Sequence, residues 1–307
     1  MKKIDFTNPI LGIRWLSLLE PCMRYGFSFK VNILLAKKYL GFRFKSNKHG
    51  LRGPDNIHAD TIIAGTSYAM GMSVDQGNDW YDISSRFSNS LNIAIPTSVI
   101  EQTNRLKDIY RGNHRHLIYV YHPNVWLIAK QFNQSRIDKK DIKSTMKWKT
   151  NIKDLPFLYA KWFIKTLVKI RQNVFILKKV SGMKYRIDTR YCLLDLKGSE
   201  PFLIEELKAF KALFSLFDSV TIIRVPIKEQ KYYEMTQDVH LNKLVKSYDD
   251  NWEHFKKCIT GSSKVLDLTK ARKFKLEHYL PFDTHWNDKG NVLFHNELCK
   301  FLDSYKL

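Results

Sequence analysis

Thr61-Ile62-Ile63-Ala64-Gly65-Thr66-Ser67-Tyr68-Ala69-Met70-Gly71 is an apolar run that breaks at Gly-Thr-Ser and continues into small residues. Residues 59–65 read as a buried strand, and the residues from Gly65 to Gly71 as a tight turn. The turn presents the Ser67 hydroxyl at the carboxyl end of the strand, where open α/β sheets bind ligands. Gly-Thr-Ser is also ordinary turn chemistry, and Ser67 reads equally as a helix N-cap.

Outward from this stretch the chain alternates. Trp80 to Ser88 has helical spacing, and Ser90 to Ile95 is a short strand stopped by Pro96. Val99 to Arg111 is a helix with Ser98 and Glu101 in capping positions. His116 to Tyr121 is apolar throughout, as strands buried on both faces are, and His122-Pro123-Asn124 ends it. Pro201–Phe217 is a helix, Ser219–Pro226 a strand, Asp238–Cys258 a helix and Lys264–Leu268 a strand. Asn287 to Tyr305 closes the chain as a helix with Asp288 in its acidic first turn. Strands alternating with helices predict a parallel sheet covered on both faces. With right-handed crossovers, the simplest solution is a doubly wound five-stranded sheet of flavodoxin-like order.

Two segments stand outside the alternation. Residues 1–45 read as a helical, aromatic-rich segment, and residues 46–307 as the α/β domain. Within that domain, residues 134–200 hold 17 Lys+Arg against 6 Asp+Glu. Phe157 to Val180 there has long helical periodicity, which predicts a basic helical insertion or cap over the sheet edge.

The whole chain, 307 residues with 51 Lys+Arg against 30 Asp+Glu, carries a net charge of +21. An acidic polysaccharide, an anionic membrane surface and nucleic acid would all suit that charge, as would a plain solvated surface. Nucleic acid is the weakest partner, because no zinc-finger spacing or RNA-binding aromatic signature accompanies the charge. The four cysteines are far apart, so free thiols are expected rather than disulfides or a zinc site, and no histidine pairing suggests a metal. No cofactor is expected. Asp5, Asn8, Arg14 and Glu20 interrupt the apolar residues at the start, and no run of 18 apolar residues occurs. The expected location is therefore the cytoplasm, with peripheral contact at the inner face of the membrane as its extension.

Three strand ends supply polar groups to one edge: Ser67, then Pro96-Thr97-Ser98, then Asn124. The loop before the last helix, Asp283-Thr284-His285-Trp286-Asn287, can return to the same edge. A serine nucleophile needs a base in reach, and the base needs an orienting acceptor. Ser67, His285 and Asp283 can fill those roles. Asn124 could offer its amide to an oxyanion beside the N–H groups of Ser67 and Thr97. Tyr68, His122 and Trp286 are candidate substrate-lining residues. Each residue also has a structural reading, as a turn former, a cap or a buried hydrogen-bonded histidine.

These blocks together resemble the SGNH hydrolases, also called GDSL esterases. Gly65-Thr66-Ser67 stands where their Gly-Asp-Ser would be, and Asn92 to Thr97 resembles the second block, whose last position is usually the oxyanion glycine. His122-Pro123-Asn124 resembles the Gly-x-Asn block, and Asp283 to Gly290 the Asp-x-His-Trp-Asn-x-x-Gly block. Two flanking stretches resemble a bacterial subgroup associated with surface polysaccharides: Asn47 to Pro54, similar to its Gly-Leu-Arg-Gly-Pro lead-in, and Val225-Pro226-Ile227-Lys228-Glu229-Gln230 after the fourth strand. The resemblance covers residues 46–133 and 201–307. It implies a Ser67-His285-Asp283 triad and an oxyanion hole of Ser67, Thr97 and Asn124. The activity implied is that of an esterase or O-acetyltransferase on a glycan. The alternative is a non-catalytic glycan-binding or assembly protein on the same fold, with the Thr97 side chain closing the hole.

Overall fold

Five strands form one sheet in which every neighbouring pair is parallel: β1 (Thr61–Gly65), β2 (Ser90–Asn92), β3 (His116–Tyr121), β6 (Ser219–Arg224) and β7 (Lys264–Asp267). Among the described residues, strands β4 (Phe175–Val180) and β5 (Met183–Asp188) pair only with each other, antiparallel. The sheet order is β2-β1-β3-β6-β7. Set the hairpin aside and this is the doubly wound 2-1-3-4-5 order of flavodoxin-like sheets. The computed structural model describes residues 51–53, 56–71, 74, 77–94, 98–112, 115–137, 175–180, 183–188, 201–259, 263–271, 273–280 and 284–305. The helical reading of residues 1–45 lies outside them, as does most of the basic segment.

The helices are α1 (Val99–Ile109), α2 (Asn124–Ile137), α3 (Pro201–Phe214), α4 (Lys228–Thr236), α5 (Val239–Ile259) and α6 (Asp288–Ser304). Strand residues alternate between two cores, as a period of two requires. Ile62, Ala64, Leu117, Tyr119, Tyr121, Val220 and Ile222 join Trp126, Phe210, Trp252 and Phe255 on one face. Ile63, Ile118, Val120 and Ile223 join Trp80, Trp286, Phe294 and Leu298 on the other. Trp80, Trp126, Trp252 and Trp286 are all fully buried. Each buried side chain of this size stabilises the fold by roughly 3 kcal/mol through removal of apolar area from water.

The strands and most helices match the sequence reading to within a few residues. Ser98 caps α1 by accepting the Glu101 N–H at 3.2 Å, and Asn287 caps α6 by accepting the Gly290 N–H at 3.1 Å. Two expectations fail, and two helices, α2 and α4, have no counterpart in the sequence reading. Trp80–Ser88 is a series of turns with one short 3-10 turn at Ser85–Phe87, not a helix. Its aromatic residues plug the second core one by one, with Trp80 edge-on to Tyr81, Phe87 and Phe294. The end of the Phe157–Val180 periodicity is strand β4, paired residue for residue with β5. Helix α4 escapes the sequence reading because Lys228, Glu229 and Lys231, which look like surface residues, are buried.

His116 opens β3 between two side chains of β6: its Nδ1 lies 2.6 Å from Ser219 Oγ and its Nε2 3.4 Å from Thr221 Oγ1. Burial, helped by the charge of Lys264, pushes the imidazole from 6.5 down to about 4. Between those values the unfolded chain takes a proton that the folded protein refuses. The stabilisation is therefore complete above about pH 6.5 and is lost as the pH falls through about 4. Urea unfolding at stepped pH should show a loss on the order of 3 kcal/mol from this group between pH 7 and pH 4. His116→Gln should flatten that part of the curve.

Candidate active site

Strand β1 ends at Gly65, whose φ of +135° belongs to glycine. The strand then breaks into one helix-like turn in which Thr66 O accepts the Met70 N–H at 3.1 Å. Two buried amides hold this turn. Gln102 Oε1 on α1 accepts the Gly65 N–H at 3.1 Å, and Asn92 Nδ2 on β2 donates to Ala69 O at 3.0 Å. Ser67 is thereby fixed at the carboxyl edge of the sheet, only 5% exposed.

His285 arrives from the other end of the chain. Its loop is closed by a bridge between Tyr279 and Trp286. Leu280 N–H donates to His285 O at 2.9 Å, and Asn287 N–H to His278 O at 3.0 Å. Gly290 lets the first turn of α6 approach this closure, since a Cβ there would stand 2.8 Å from Trp286 Cβ and overlap His278 O. Trp286 is wedged between Phe274 and Phe294. So anchored, His285 is 8% exposed and places its Nε2 2.6 Å from Ser67 Oγ, across 218 residues of sequence. With Ser67 donating, the imidazole accepts on Nε2 and carries its own proton on Nδ1.

Tyr68 links the two loops. Its hydroxyl donates to Thr284 O, so the residue after Ser67 grips the residue before His285. Its ring stacks on His122 at 4.4 Å, lies tilted 5.1 Å from His285 and meets Trp286 edge-on at 4.9 Å. The Asn124 N–H donates to His122 Nδ1 at 3.1 Å, which leaves that ring neutral with its proton on Nε2. Asn124 opens α2 just beyond β3, half-buried at the sheet edge that holds Ser67.

Of the site residues expected from sequence, the structure thus brings Ser67, His285, Tyr68, His122 and Trp286 into one cluster, with Asn124 at the neighbouring strand end. Asp283 and Thr97 lie outside the described residues. Sequence reasoning missed Gln102 and Asn92, because a buried amide looks like any surface amide until its partner is known. Among the described residues no group of three or more His, Cys, Asp or Glu could hold a metal ion, and no helix is long and apolar enough to cross a membrane.

Neither a family model nor a curated protein matches the chain. A solved structure from Streptococcus pneumonia, assigned provisionally to a platelet activating factor, is similar to it. The match covers 80% of this chain and 84% of that one, at 9% identity and a TM-score of 0.38.

Proposed function

We propose that the protein is a serine-dependent acyl-ester enzyme of the SGNH type, an esterase or O-acetyltransferase acting on a bacterial surface glycan. The observation that carries this reading is the buried hydrogen bond of 2.6 Å between Ser67 Oγ and His285 Nε2 at the carboxyl edge of a parallel sheet. A serine hydroxyl and an imidazole nitrogen so placed are what nucleophilic acyl transfer needs.

Ser67 Oγ attacks the ester carbonyl while His285 Nε2 takes its proton. The carbonyl oxygen becomes an oxyanion held by the N–H groups of Ser67 and Thr97 and by the Asn124 amide. The intermediate collapses, His285 returns the proton to the departing alcohol, and the acyl group stays on Ser67. Water or a sugar hydroxyl then repeats the sequence in reverse, with His285 again the base. Asp283 orients the imidazole and stabilises its charged form.

The glycan reading draws on charge. The net +21 suits an acidic polymer or a carrier at an anionic membrane surface.

Incubation with an acetylated acidic glycan, and separately with an acetyl donor plus the bare glycan, tests the reading. Release of acetate marks an esterase and acetylation of the glycan a transferase, each abolished by Ser67→Ala. Glycan binding with neither reaction would replace this reading by a non-catalytic one.

A further inference from the structure

Two of the most deeply buried side chains are cations that the acyl-transfer chemistry does not use, and each comes from a stretch flanking the site. Arg52 is 1% exposed and Lys228 is 0% exposed. Burial of an ion costs several kcal/mol unless good partners offset it, and an apolar residue of similar volume would often serve packing as well or better. What these two cations touch is therefore informative.

Arg52 reaches into the loop behind the nucleophile. Its guanidinium donates to Gly71 O and, at 2.8 Å, to Val74 O, and it pairs with Asp79, itself fully buried. Burial pushes the Asp79 carboxyl up to about 8, against the opposing charge of Arg52. The planar fork of arginine suits such a set of acceptors, and the point charge of lysine does not. Lys228 makes the matching contact behind the base. Its Nζ donates to Leu280 O at 3.3 Å, while Leu280 N–H donates to His285 O at 2.9 Å. A second tie runs the opposite way, from Tyr279 Oη to Pro226 O at 2.7 Å. One cation thus holds carbonyls four and seven residues after Ser67, and the other a carbonyl five residues before His285.

We propose that Arg52 and Lys228 are positioning residues that set the Ser67–His285 separation through the main chain of the two loops. The proposal rests on the acyl-transfer reading of the site. Its physical basis is that hydrogen bonds to charged groups are about twice as strong as neutral ones. A displacement of about 1 Å between reacting groups can cost on the order of a hundredfold in rate. Clamping carbonyls leaves the Ser67 and His285 side chains free to move protons while their backbones stay fixed.

Lys228→Met and Arg52→Lys test this on the full chain, at a temperature where circular dichroism shows each variant folded. In each, kcat on an aryl acetate should fall by about tenfold or more, with KM within about threefold. Deuterium uptake should rise in peptides over 278–287 for Lys228→Met and over 66–74 for Arg52→Lys, not the reverse. Folded variants that melt earlier yet keep the wild-type kcat and uptake would show a purely structural role and overturn the proposal. Should either variant fail to fold, the wild type decides. Its Leu280 amide should exchange far more slowly than an unstructured amide, and exchange within about tenfold of that rate would overturn the clamp. If wild-type Ser67 proves inert to a fluorophosphonate, the acyl-transfer reading fails on its own, whatever the exchange data show.

Discussion

Ser67→Ala is expected to lower kcat on an acetyl ester by roughly 10⁴-fold or more, while the melting temperature hardly changes. The size follows from the role. Without Oγ no acyl-enzyme can form, and any residual rate comes from water activated by His285. The stability change is small because the substitution removes one hydroxyl and one hydrogen bond, to His285 at 2.6 Å. A bond of that kind is worth about 1 kcal/mol net, and alanine leaves little space unfilled. His285→Ala should lower kcat similarly and should not add to the loss in the double variant, since the two groups act as a unit. Initial rates of the purified variants, with thermal melts alongside, check both statements.

Gly65→Ala is expected to be the most destabilising single substitution near the site. The residue has φ of +135°, and an added Cβ would sit 2.5 Å from Val120 O and 3.0 Å from Ala69 Cβ. Val120 O belongs to the backbone of β3, which pairs with β1 residue for residue and cannot move aside alone. Backbone strain at such a φ costs about 1–3 kcal/mol by itself. With the steric overlap added, the loss should reach on the order of 4 kcal/mol, or a melting temperature lower by about 10 °C. Because Ser67 follows only two residues later, whatever folds should also lose reactivity at Ser67. Calorimetry and probe labelling on the same sample would show both effects together.

Much of this site could be read in the sequence, because its signals are local. The apolar runs of β1, β3 and β6 are too short for helices and are bounded by turn residues, and they match strands buried on both faces. Asn287 marks the start of α6 by a cap that depends only on the next three residues. What escaped depends on partners far along the chain. The residues from Trp80 to Phe87 carry aromatic groups at helical spacing, yet each ring fills a separate gap against α6 and its neighbours. Phe175–Val180 fits either period, and its pairing with β5 decides for a strand. A local signal was available there, since Met183-Lys184-Tyr185-Arg186-Ile187-Asp188 alternates apolar and polar strictly. Arg52 and Lys228 were legible only as parts of flanking motifs. A buried cation cannot be told from a surface one until the carbonyls it holds are known.

The proposed chemistry is tested most directly by mass spectrometry of the full chain after exposure to a fluorophosphonate. If Ser67 is an activated nucleophile, a single phosphonyl adduct should map to the peptide containing Ser67, and His285→Ala should slow its formation by about a hundredfold or more. An unmodified Ser67 in folded protein, or equal labelling with and without His285, would contradict it.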